Sequence, residues 1–160
     1  MNWPYIHILI NHGPIILSVL GTGVLLLALF VRRRGVWLYA LATLTLAGLS
    51  IYPVYFTGDQ AADAVRTTWY IMRPMVDEHD TAAGFALASM LIVGAASAYT
   101  WWRMLRREVT ALPPVWLRTV VAILAVWGVS VVARTAYLGG KIVHDSPKLQ
   151  APPPGAVAPR

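Results

Sequence analysis

The sequence predicts an all-α integral membrane protein, an antiparallel four-helix bundle with both termini outside. Three observations carry this expectation. Apolar residues fill 58% of the 160 positions and charged residues only 12%, with a mean hydropathy of +0.59. Neither an ordinary soluble domain nor a disordered chain has that balance. Four runs approach the roughly 20 apolar residues that a helix needs to cross the hydrocarbon core, at about 13–31, 36–56, 81–102 and 115–137. The third observation is where the charges fall.

Arg32, Arg33 and Arg34 follow the first run, and Arg103, Arg106, Arg107 and Arg118 bracket the third connection. The other side carries Asp59, Asp63, Asp77, Glu78 and Asp80 against Arg66 and Arg73. Cytoplasmic connections are enriched in Lys and Arg, so both basic connections are expected inside and both termini outside. The net charge of +6 is thus a topology signal. A nucleic-acid partner is not expected, because the arginines sit at span ends. The lipid bilayer is the expected surrounding.

Each element has a sequence reason. In NWPYIHILINHGP, Pro4 suits a first helical turn, while a helical Pro14 would strip a hydrogen bond from the Ile10 carbonyl. A short interfacial helix from about Tyr5, a bend near Gly13 and then the first span are expected. The opening lacks a basic stretch and a small-residue cleavage site, so the first span is read as retained. The RRRG turn is short and makes the first two helices antiparallel neighbours. Pro53 predicts a bend near the outer surface. The segment from Asp59 to Glu78 is the longest connection, with enough apolar residues for a short surface helix anchored by Trp69 and Tyr70. Trp37, Trp101, Trp102 and Trp116 mark the opposite interface. Gly21, Gly23 and Gly94 are read as helix-packing positions. Residues 1–145 form the four-helix domain, and 146–160 a Pro-rich extended tail.

The functional clue is the histidines. His7 and His12 open the first span, His79 opens the third and His144 closes the fourth, all at one end. There is no cysteine, which excludes disulfides, thiolate metal sites, iron–sulfur clusters and covalent c-type haem. Imidazoles from separate helices at one depth point to haem b, one or two per chain, held without a covalent bond. His12 and His79 are the leading iron ligands, followed by His7 and His144. His7 and His12 diverge by about 140° on a regular helix, so they do not ligate one iron together. His144, Gly140, Tyr137, Ala133 and Ser130 form one stripe, and His79, Ala83, Ala86 and Met90 another, slim enough to clamp a planar ring. Arg134, Lys141, Arg66 and Arg73 lie on the side where haem propionates would want cations, and Arg134 is the most telling because a charge near a span end is costly unless paired. Taken singly, each histidine is more simply an interfacial residue capping carbonyls or binding water. A zinc or copper site is the other chemical reading, since His79 lies in VDEHD and Asp145 follows His144. No Gly-rich phosphate loop is present.

The chain also resembles a bacterial four-span membrane family catalogued as domain of unknown function 2231. HILINHGP, with His7, His12 and Pro14, is similar to its opening pattern. His79 with Ala83 looks like its third-span histidine, and Gly139, Gly140, Ile142 and Val143 like its closing segment. Ile8 stands where the family usually has proline, and Ser146 where its last histidine falls. The resemblance covers the four-span body, and implies that fold and a histidine layer. The bacterial cytoplasmic membrane is then the expected location.

These readings converge on a b-type cytochrome-like subunit with haem near the periplasmic face. It would relay electrons to or from a periplasmic redox protein or a neighbouring membrane subunit, with a quinone as a further candidate partner. No residue is assigned as acid, base or nucleophile. The competing class is a haem-free structural or assembly subunit of a larger membrane complex.

Overall fold

The computed structural model describes residues 2–66, 71–108 and 111–145. These residues contain five helices and no strand: α1 (Trp3–Ile10), α2 (His12–Val31), α3 (Arg34–Val65), α4 (Arg73–Leu105) and α5 (Val115–His144). Trp69, Tyr70 and the tail at 146–160 lie outside them. Four helical stretches are long and apolar enough to cross a membrane, with α1 and α2 together making the first, Trp3–Val31. The chain is a multi-pass membrane protein.

The outward surface agrees. Leu49, Phe85, Ile123 and Trp127 are each more than half exposed, in the middle of apolar helices. Water would penalise such a surface, while lipid solvates it. Inside, Leu25, Leu41, Leu44, Met90 and Val93 form the core. Several hydroxyls within the helices are satisfied locally, as in Thr43 to Tyr39 O (2.9 Å) and Thr100 to Ala96 O (2.7 Å), while Thr22 reaches across to Ala125 O (3.4 Å).

Helix α3 packs against α1, α2 and α4, and α5 packs against α4 and α2. Helices α3 and α4 approach closely. A Cβ on Gly48 would sit 2.7 Å from Gly94 Cα and 2.7 Å from the Met90 carbonyl oxygen, both backbone atoms. Gly94 therefore packs helices together as its sequence context implies, and so does Gly21 against Leu44. Gly23 does not, since a Cβ there would meet nothing within 4 Å. Gly48 and Gly128, the latter against Val93 and Met90, are packing positions that the sequence did not reveal.

The helix ends depart most from expectation. The 59–78 segment is not a surface connection: α3 continues to Val65, and α4 already begins at Arg73. The residues DQAADAV hold no helix breaker, and Pro74 fits the first turn of α4, where its missing N–H costs nothing. At 32 residues, α3 is about 48 Å long, well beyond the hydrocarbon thickness of about 30 Å. Apolar runs mark the depth of the bilayer, whereas helix ends are set by caps and breakers. Similarly α5 runs through Gly139 and Gly140 to His144, and α3 runs through Pro53. The α1–α2 break falls close to where the prolines suggest. It lies at Asn11, and Pro14 sits in the first turn of α2.

Arginines organise the opposite end. Arg34 donates to the carbonyls of Met104, Glu108 and Ala111, tying the α2–α3 turn to the α4–α5 connection. Arg118 donates to Pro113 O at 2.6 Å, and its guanidinium lies 6.0 Å from the centre of the Trp37 ring. Trp37 is fully buried, so it belongs to the core rather than to an interfacial belt. Trp102 and Trp116, both about half exposed, keep the belt role. Arg32 closes α2 in the left-handed conformation, φ 54°. Side chains are disfavoured there, and glycine is the usual helix stop. Arg32→Gly is therefore expected to stabilise the protein by about 0.5–1 kcal/mol, read as an upward shift in thermal unfolding.

Candidate functional site

Two histidines enter the bundle at the end opposite the arginines, and they do so in the same way. His7 on α1 places Nδ1 3.1 Å from the Val54 carbonyl oxygen of α3, with Thr57 Oγ1 at 3.4 Å. His79 on α4 places Nδ1 3.0 Å from the Thr135 carbonyl oxygen of α5. A carbonyl can only accept, so in each ring Nδ1 carries the hydrogen. The lone pair is then on Nε2, and no hydrogen-bond partner of either Nε2 occurs among the described residues.

Each ring lies on a glycine one helical turn beyond its carbonyl. A Cβ on Gly58 would be 2.9 Å from His7 Cε1, and one on Gly139 would be 3.0 Å from His79 Cε1. Any side chain there would push the imidazole off its carbonyl. Both rings are partly buried. Thr135 fastens the second site further, since its hydroxyl donates to Ala82 O (3.1 Å) on α4 and Val131 O (3.0 Å) on α5.

The other two histidines are elsewhere. His12 is exposed and bonds back to Ile8 O of its own chain segment at 3.2 Å. His144 is exposed in the last turn of α5. The four histidines do not form one layer: His79 is level with Thr135, nine residues or about 13 Å short of His144 along α5, and only His7 and His79 turn into the bundle. The stripe of Ser130, Ala133, Tyr137 and His144 on α5 is exposed, and Gly140 on it is only half-buried. The face that meets His79 is that of Thr135 and Gly139, rotated by about 100° per residue from the predicted stripe. On α4 the predicted face holds: Ala86 and Met90 are buried and Ala83 is half-buried.

Among the cations, Arg66 is occupied by Asp63 (3.7 Å) and Asp77 (3.6 Å), and Arg73 donates to Arg66 O. Exposed Arg134 and half-buried Lys141 form no ion pair among the described residues. The described residues contain no group of three or more His, Asp or Glu side chains placed to hold a metal ion. Asn11, one turn beyond His7, has a buried Oδ1 without a hydrogen-bond partner among the described residues. Val54, Gly58, Thr135 and Asn11 are the residues of this region that the sequence alone did not reveal, and Gly139 stood out there only as part of the closing segment of the resemblance. The glycines were visible as glycines inside polar helix ends, where nothing else called for them.

No protein-family model, curated protein or solved structure matches this chain. The chemistry of the site therefore rests on its own geometry.

Proposed function

We propose that this chain is a membrane electron-transfer subunit that binds b-type haem between His7 and His79. The observation that carries the proposal is the state of the two imidazoles. Each comes from a different helix, has Nδ1–H tied to a carbonyl, and keeps an unshared pair on Nε2. That is how iron- and zinc-binding histidines are held, with the outer hydrogen bond fixing tautomer and ring angle. Two such ligands without a third suit a macrocycle that brings four nitrogens of its own. A bare zinc ion needs about four ligands, three or more of them from protein, and the described residues offer no such group.

When bound, haem supplies one-electron redox chemistry. The protein's own residues do the rest. Val54 and Thr135 carbonyls orient the two rings, Gly58 and Gly139 let them lie flat on the backbone, and the apolar core excludes water beneath. Arg134 and Lys141 are the cations that could pair with propionates. The pair replaces His12 and His79 as the favoured ligand set, with His12 and His144 outside it. In this proposal the four long helices form an antiparallel bundle in a bacterial cytoplasmic membrane. The arginine end is cytoplasmic and both termini are outside. The redox partner is then periplasmic or a neighbouring subunit. Membership of the domain of unknown function 2231 family is part of the same proposal.

A haem-free structural subunit is the second reading. It draws on the same bonds, because His7 fastens α1 to α3 and His79 fastens α4 to α5. The absorbance spectrum of the purified, dithionite-reduced protein separates the two. A sharp b-type alpha band supports the haem reading, and its absence from protein expressed with ample haem favours the scaffold. Stoichiometric zinc or copper without that band would favour the metal site. His12→Ala is expected to leave haem content unchanged, measured as haem per chain, since its ring is exposed and bonded to Ile8 O of its own segment.

A further inference from the structure

We infer that the chain is a fused duplication of one two-span unit, and that its His7/His79 site lies on the two-fold axis relating the halves and takes a single planar ligand with two equivalent faces. The ligand part rests on the haem reading above; the duplication does not.

The correspondence begins at the histidines. The offset from His7 to His79 carries α1 and α2 onto α4, and the offset from Val54 to Thr135 carries α3 onto α5. The second offset also carries Gly58 onto Gly139, so ring, carbonyl acceptor and underlying glycine recur together.

Burial then tests the match independently. The buried residues of α2 are Pro14, Ser18, Gly21, Thr22, Leu25 and Ala28. The first offset takes them, in order, to Ala86, Met90, Val93, Gly94, Ser97 and Thr100, every one of which is buried in α4. Val76 and Ala82, also buried in α4, fall on the half-buried Pro4 and Ile10 of α1. So α1 is the counterpart of the first turns of α4, separated in one copy by the break at Asn11. The second offset takes Ala40, Leu44, Ala47, Ile51 and Thr57 of α3 to Val121, Ala125, Gly128, Val132 and Leu138. Those are all but one of the buried residues of α5. Helical spacing alone repeats a pattern, but it does not fix the phase relative to a histidine chosen beforehand.

The same elements meet on both sides, α3 with α4 and its counterpart α5 with α2, the second contact being the less extensive. Counterparts that touch each other must straddle the axis. At one end the axis passes midway between His7 and His79, which the first offset makes counterparts. At the other, Trp37 lies under the guanidinium of Arg118, which is its own counterpart under the second offset. The axis thus runs the length of the bundle, the arrangement of parallel membrane repeats. Anything gripped by both imidazoles sits on it and sees the same environment on each side. A flat macrocycle satisfies that condition once per chain, and two separate haems do not.

The test uses the full chain, whose lack of cysteine allows clean spin labelling. Leu20, Leu49, Ile92 and Ser130 are all exposed, and Leu20 with Ser130 is the counterpart of Ile92 with Leu49. Cysteine pairs at the two couples are expected to give the same label–label distance within the width of the distributions. A difference larger than that width overturns the duplication. Haem titration of the unlabelled protein is expected to saturate at one per chain. Two haems per chain overturn the single axial ligand. No haem with equal distances overturns the haem reading and the ligand assignment, and leaves the duplicated architecture standing.

Discussion

His79→Ala is expected to strip the protein of haem while leaving its helices inserted, and His7→Ala is expected to do the same. Loss of even a supporting bond to a metal-binding histidine costs about 10–100-fold in affinity, so loss of the ligand itself should cost at least that. Haem per chain after membrane extraction is the readout. The accompanying stability loss is separate and smaller. The Nδ1 bond to Thr135 O is worth about 1 kcal/mol, plus the cost of a cavity over Gly139. Imidazole added to either variant fills the vacated position, so recovery of the reduced spectrum distinguishes a lost ligand from a damaged fold. Unchanged haem occupancy in either variant removes that residue from the site.

The second large effect is structural. Gly48→Val is expected to destabilise the helix assembly by about 3 kcal/mol or more, because a side chain cannot enter the α3–α4 contact without parting the helices. The clash is with backbone, namely Gly94 Cα and Met90 O at 2.7 Å from the position of a Cβ. No rotamer relieves it. Helices in lipid associate through such close packing and gain little from apolar burial, so separation forfeits much of what holds α3 to α4. Thermal unfolding in detergent, followed by near-UV circular dichroism, measures the loss. Gly23→Val is the control, since it faces open space and should unfold within about 0.5 kcal/mol of the parent.

The contrast between Gly23 and Gly48 also marks what the sequence could reveal. Both are glycines in apolar helices, and nothing local separates one facing lipid from one touching a neighbour. Periodicity assigns a face only when polar and apolar residues differ between faces, and lipid removes that difference. The four spans were legible because hydrophobic length is a property of the chain alone. Helix ends were not, and α3 outruns its apolar stretch by a polar turn and more, to Val65.

The site was legible in the same partial way. Depth follows from counting residues along a span, and it gathered all four histidines at one end. Rotation about the helix axis does not follow, so exposed His12 stood level with His7 until neighbouring helices were in place. The carbonyls of Val54 and Thr135 are backbone groups with no signature in the sequence. The duplication was hidden because counterparts such as Leu25 and Ser97 share burial but not chemistry.

Near-infrared magnetic circular dichroism of the oxidised, haem-loaded protein tests the convergence of His7 and His79 on one iron most directly. The account predicts the charge-transfer band of low-spin, bis-imidazole haem, giving way to a high-spin or vacant spectrum in His7→Ala and in His79→Ala alike. A parent protein with one imidazole on its iron, or a bis-imidazole band that survives either substitution, would contradict it.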